Sequence, residues 1–136
     1  MSINWENTLA TGIERIDAEH RVFVALISDL DQADAEGAPR ERMERILREV
    51  QAYALFHFTR EENLMLDQGY PDYERHRREH QNLLAHFTGV LHEYREGRVL
   101  VQHIVELTYQ WFAGHATEAD QRLAEYLRGA TPQALS

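Results

Sequence analysis

The strongest constraint on this chain is its punctuation. Four long stretches carry apolar side chains every three or four residues, and short breaks built on Gly or Pro part them. That period lines one face of an α-helix, and no stretch alternates as a half-buried strand does. An irregular arm over 1–16, with Trp5, Ile13 and Ile16, comes first. Asp17 stands where it can cap a first helix over about 17–36, with Val22, Phe23, Leu26, Ile27 and Leu30 facing inward and Gly37 ending it. The second helix, about 39–68, starts on Pro39, whose missing N–H costs nothing there. Its inner stripe is Ile46, Val50, Ala54, His57, Glu61, Leu64 and Met65. Gly69, Tyr70 and Pro71 break the pattern, Asp72 caps a third helix over about 72–96, and Gly97 ends that one. The fourth covers about 100–127, with Ile104, Leu107, Trp111 and Leu123 among its apolar positions, and 128–136 is a tail. Long helices with short connections lie antiparallel to their neighbours. The expected fold is all-α, an up-down-up-down antiparallel four-helix bundle with an irregular N-terminal arm, in one domain over 1–136.

Composition removes several function classes. The chain has no cysteine, which excludes disulfides, thiolate-bound zinc, iron–sulfur clusters and cysteine nucleophiles. A net charge of -9 argues against a nucleic-acid partner, because phosphate binding needs a basic face. The N-terminus lacks the basic start and apolar run of a secretory signal, and no stretch is apolar enough to cross a bilayer. No membrane insertion and a cytoplasmic location are therefore expected.

The residue type in excess is histidine, with 8 copies beside an acidic surplus. Residues four apart share a helix face. His57 and Glu61 have that spacing on the second helix, and His76 and His80 have it on the third. The first helix offers His20, and the fourth offers His115, four residues after Trp111. Any one of these could be a surface or hydrogen-bonded core histidine. Imidazoles on all four helices, on or beside apolar stripes, are another matter: burying them unpaired would cost several kcal/mol, and a shared metal site satisfies them together. His86, His92 and His103 fail the angular test. They lie well round their helices from the ligand faces, His103 by about 120° from His115, and are expected at the surface or rim. Glu62 is likewise off the ligand stripe, as a solvated group or a partner to a ligand.

Imidazole and carboxylate without sulfur suits iron, zinc, copper or manganese. Five imidazoles and two carboxylates are too many for one tetrahedral zinc. Two six-coordinate ions would use five positions on imidazole, four on bridging carboxylates and two on a bridging oxygen. One position then stays open, as in a site that admits one small ligand.

The residues that carry this pattern resemble the hemerythrin family, its single-domain bacterial branch in particular. They are Trp5, Gly12, Ile16, Asp17, Glu19 and His20, then His57, Phe58, Glu61, Glu62 and Met65, then Tyr70, Pro71, His76, His80, Trp111, His115 and Asp120. The resemblance implies that His76, His80 and His115 hold one iron and His20 and His57 the other. Glu61 and Asp120 would bridge them with an oxo or hydroxo group, and dioxygen would be the ligand at the iron with the open position. Phe23, Phe58, Trp111, Phe112 and Ala116 are expected to line the oxygen pocket. The family usually has a large aliphatic residue after the fourth-helix histidine; Ala116 there, following Gly114 and His115, suggests a roomier pocket.

The function implied is reversible dioxygen binding for storage or delivery, without catalysis, with an oxygen-consuming enzyme as an unidentified partner and a monomer favoured. The alternatives are a di-iron peroxidase or oxidase, a nitric-oxide handler, or an oxygen sensor acting through a partner, since the chain leaves no room for an output domain. One geometric tension remains. His115 and Asp120 are five residues apart, about 140° on a regular helix, so spacing alone nominates Glu118 as the second bridge. The family pattern nominates Asp120, with Glu118 toward solvent and irregular hydrogen bonding, such as a π-type turn, between Gly114 and Asp120.

Overall fold

A computed structural model describes residues 3–129; Met1, Ser2 and residues 130–136 of the expected arm and tail lie outside the described residues. A short 3-10 turn, Asn7–Leu9, leads into α1 (Glu14–Ala35), α2 (Arg40–Asp67), α3 (Tyr73–Arg95), α4 (Val101–Thr117) and α5 (Ala119–Arg128), and no strand occurs among the described residues. α1 packs on α2 and α4, and α3 packs on the same two helices, as in a four-helix bundle whose fourth member is α4 continued by α5.

The expected stops are where the sequence put them. Gly37 has a φ of 69, a backbone that side chains avoid, and Ala38 N–H then bonds the Ala33 carbonyl at 2.9 Å. The same closure recurs after α2, from Tyr70 to Met65, and after α3, from Arg98 to Glu93.

The starts differ from expectation. α1 begins at Glu14, and Asp17 does not cap it. The Asp17 carboxylate instead turns back and accepts from Thr11 N–H at 2.8 Å, Thr11 Oγ1 at 2.8 Å and Gly12 N–H at 3.1 Å, tying the arm to the helix. Pro39 precedes the first residue of α2 rather than occupying it, and its carbonyl takes the N–H groups of Arg42 and Met43. Asp72 sits at the cap position of α3, but its side chain makes no cap bond. Val22 does not face inward; it is 46% exposed, one position off the buried stripe of His20, Phe23, Val24 and Ile27.

Apolar residues gather in two clusters. The larger joins Leu9, Phe23, Ile27, Leu47, Leu91, Ile104 and their neighbours. The smaller joins Ile13, Ile16, Leu64, Met65, Tyr70, Leu123, Ala124 and Leu127. The histidines fall in neither.

Candidate metal centre

Five histidines and two carboxylates meet in the bundle interior, each at most 6% exposed: His20, His57, Glu61, His76, His80, His115 and Asp120. α1 supplies His20, α2 supplies His57 and Glu61, α3 supplies His76 and His80, α4 supplies His115 and α5 supplies Asp120. Their donor atoms form two overlapping groups, each within 4.8 Å: Glu61, His76, His80, His115 and Asp120, and then His20, His57, Glu61 and Asp120. The two groups share Glu61 and Asp120.

The interruption of the fourth bundle helix makes this convergence possible. Glu118, with φ -115 and ψ -74, separates α4 from α5. Its N–H reaches the Gly114 carbonyl at 3.2 Å, and Arg122 N–H reaches the Glu118 carbonyl at 3.1 Å. The distortion is a break between two α-helices rather than a π-turn. It swings Asp120 inward beside His115, and it starts a helix whose positive end favours a carboxylate in its first turn. Glu118 is exposed.

The donor atoms crowd together: His76 Nε2 and His80 Nε2 lie 2.7 and 3.0 Å from Glu61 Oε1. His115 Nε2 lies 3.2 Å from His76 Nε2 and 3.1 Å from His80 Nε2. Two nitrogens bound at right angles to one ion, with bonds of about 2.1 Å, would be about 3.0 Å apart. Asp120 Oδ1 stands 3.1 Å from His76 Nε2, and its Oδ2 stands 3.1 Å from His20 Nε2. His57 Nε2 stands 3.4 Å from Glu61 Oε2. Both Asp120 oxygens, Glu61 Oε2 and His57 Nε2 are nonetheless buried without a hydrogen bond of sound geometry. Leaving them so would cost several kcal/mol, and cations between them would satisfy all four. The residues present fit a pair of metal ions.

The outer ring nitrogens are held by glutamates. Glu62 accepts from His80 Nδ1 at 2.8 Å. Glu19 accepts from His57 Nδ1 at 2.8 Å and also pairs with Arg60. Glu79 stands 3.4 Å from His115 Nδ1. In the neutral imidazole, each contact keeps the proton on Nδ1 and leaves Nε2 as the lone-pair donor. Spacing alone left Glu62 undecided, and Glu79 was not singled out although it adjoins a ligand. Phe58 stacks on His80 with ring centroids 4.0 Å apart.

The buried carboxylates and imidazoles shift one another's ionisation. Burial and the facing Asp120 push the Glu61 carboxyl up, but the imidazoles of His115, His76 and His80 outweigh them and hold it well below the usual carboxylate range. Burial opposes ionisation of Asp120 as well, and His115, His20 and His76 hold it well below that range. Burial pushes His76 down, yet Asp120 and Glu61 raise it to about 9. His115 is raised well above its ordinary value, and His20 is raised, against burial and chiefly by Asp120.

A cavity of about 50 Å³ opens beside the histidines. His20, His57, His115 and Asp120 line one end, and Phe23, Phe58, Trp111 and Phe112 line its walls. Ala116 does not line it; it is fully buried in the larger apolar cluster. Sequence reasoning missed Leu83, Leu84 and Thr108 in the wall. A signal existed: Leu83 and Leu84 follow His80 by three and four residues, and Thr108 precedes His115 by two helical turns, so all share a ligand face. His86, His92 and His103 are exposed, although the His86 ring lies 5.3 Å from that of Trp111.

A helical bundle with a buried histidine–carboxylate centre is a cation-binding fold, and comparison with known proteins agrees. The description "Hemerythrin HHE cation binding domain" matches residues 11–127, and the chain belongs to the hemerythrin family. It is 29% identical over 136 residues to a bacteriohemerythrin of Ralstonia nicotianae, covering 97% of this chain and 93% of that one. It is 26% identical over 124 residues to a bacteriohemerythrin of Stenotrophomonas maltophilia, covering 91% and 80%. A myohemerythrin of Theromyzon tessulatum is 23% identical over 116 residues, covering 85% and 86%. A solved crystal structure of a point mutant shares the fold with a TM-score of 0.82 at 23% identity, covering 93% of this chain and 98% of that one.

Proposed function

We propose that this chain binds dioxygen reversibly at a di-iron centre, for storage or delivery, and is not an enzyme. The observation that carries the reading is the pair of donor groups sharing Glu61 and Asp120, with an apolar cavity opening beside His20 and His57. In this reading His76, His80 and His115 would hold one iron, His20 and His57 would hold the other, and Glu61 and Asp120 would serve both. When bound, the iron pair would supply reversible two-electron chemistry.

The chain's own part is twofold. Glu19, Glu62 and Glu79 orient the imidazoles and fix their tautomers. Phe23, Phe58, Trp111 and Phe112 keep water from the cavity, which slows loss of a charged product. Among the described residues, the cavity wall holds no acid or base outside the seven donors, which favours a carrier over a peroxidase or oxidase. No helix among the described residues is long and apolar enough to cross a membrane.

The test is iron analysis of the purified protein, followed by reduction, oxygenation and deoxygenation with visible spectra at each stage. Two irons per chain and a spectrum that appears and disappears over repeated cycles are expected. One tightly bound zinc, or immediate irreversible oxidation, overturns the reading.

A further inference from the structure

The cavity has one polar feature that the seven donors leave unexplained. Thr108 is 6% exposed, lines the cavity, and its Oγ1 has no hydrogen-bond partner in the protein. A threonine inside a helix ordinarily gives its hydroxyl to the carbonyl four residues back. Thr59 does so to Leu55 and Thr117 does so to Ala113, each at 2.8 Å. Thr108 forgoes that bond in a wall otherwise made of Phe23, Val50, Ala54, Leu84 and Phe87 and their like. A buried unpaired hydroxyl is costly, and valine would fill the same space without that cost.

Thr108 stands seven residues before His115, on the same helix face and about 10 Å along the axis. It is therefore at the far end of the cavity from Asp120. A volume of about 50 Å³ accommodates about three or four water-sized atoms. One hydroxyl is too few partners to order a lone water, which needs two or more. A guest anchored at the donor end as well would meet that need.

We propose that Thr108 is a specificity-determining residue of the pocket, donating a hydrogen bond to the far end of small elongated anions of about three atoms. A single-atom anion held at the donor end cannot reach it. The pocket thus distinguishes guests by length and by the presence of a terminal acceptor. The proposal rests on the di-iron reading for the anchor at the donor end; the unpaired state of the hydroxyl does not depend on it.

The test compares wild type, Thr108→Val and Thr108→Ser in the oxidised, iron-loaded protein. Azide and chloride affinities are measured by visible titration, and thermal midpoints are measured without and with azide. Thr108→Val is expected to weaken azide by about 10- to 100-fold, the loss of one hydrogen bond to a charged acceptor, and to leave chloride unchanged. Thr108→Ser retains most of the azide affinity. Without anion, Thr108→Val melts a few degrees above wild type because it removes an unpaired hydroxyl, and azide raises the wild-type midpoint more than that of the variant. Equal losses for azide and chloride, unchanged azide affinity, or a lower midpoint for Thr108→Val without anion overturns the proposal. Two irons per chain with unchanged azide affinity defeats the role of Thr108 alone. A chain that takes up no iron defeats the dioxygen reading, and with it the length selection.

Discussion

The contact between Glu62 and His80 gives a graded test of how the ligands are held. His80 Nδ1 and Glu62 are 2.8 Å apart, and His80 is 1% exposed while Glu62 is 24% exposed. Removing a carboxylate that orients a ligating imidazole typically weakens metal binding by about 10- to 100-fold, or about 1.4–2.7 kcal/mol. The short distance and modest exposure place Glu62→Ala in that range. Glu62→Gln keeps an oxygen acceptor but loses its charge, and a charge-assisted bond is roughly twice as strong as a neutral one. The expected loss for Gln is therefore about half in free energy, roughly 3- to 10-fold. Glu79→Ala should cost less than Glu62→Ala, because its contact to His115 is 3.4 Å and its side chain is 38% exposed. Chelator competition, following the two metals separately, measures all three. The Glu62 variants should weaken metal binding at the group of His76, His80 and His115 and spare that at the group of His20 and His57. Wild-type affinity in Glu62→Ala, a Gln variant as weak as Ala, or a Glu79→Ala loss as large as that of Glu62→Ala would refute the reasoning.

Asp17→Ala strands three donors in the arm and should destabilise the fold by about 3 kcal/mol, roughly 10 °C in the thermal midpoint for a chain this size, with iron content unchanged. Ala116→Ile, inserted into a fully buried position outside the cavity, should cost about 1–3 kcal/mol by overpacking and leave the autoxidation rate alone; an altered rate with an unchanged midpoint would contradict that placement. Metal binding must displace protons from imidazoles that their carboxylates hold charged, with His76 raised from 6.5 to about 9. Iron affinity measured by chelator competition should therefore rise with pH across that window and flatten above it; an affinity independent of pH would show that the imidazoles are already neutral.

Much of this molecule is readable from its residues, for physical reasons. Helix period and glycine stops depend on neighbours in the chain, so the four segments and their ends at Gly37, Gly69 and Gly97 are local facts. The convergence of five histidines and two carboxylates is legible because rare residue types recur at face-sharing spacing. What was misread depends on tertiary choice. Asp17 looks like a cap, but three donors in the preceding turn outbid the helix start for its carboxylate. Val22 looks like core and lies one position round from it. Spacing favours Glu118 over Asp120 only while the helix is continuous, and the break at Glu118 reverses that preference. Ala116 adjoins a ligand in sequence, yet consecutive helical residues point about 100° apart.

The two apolar clusters are separated by the layer of histidines and carboxylates, and this has a consequence for cooperativity. The smaller cluster is closed largely by α5, through Leu123, Ala124 and Leu127, with Tyr126 Oη on the Gln68 carbonyl at 2.7 Å and Gln121 on the Ala10 carbonyl at 2.8 Å. A unit that small, joined to the rest across a polar layer and at a helix break, is suited to open on its own. Asp120 is the residue of α5 that enters the layer. Cations held there would fasten the two halves into one folding unit, and their loss would release α5 first. Amide exchange in Leu123–Leu127 would then report metal occupancy, while Ile27, Leu47 and Ile104 in the larger cluster would exchange only with global unfolding.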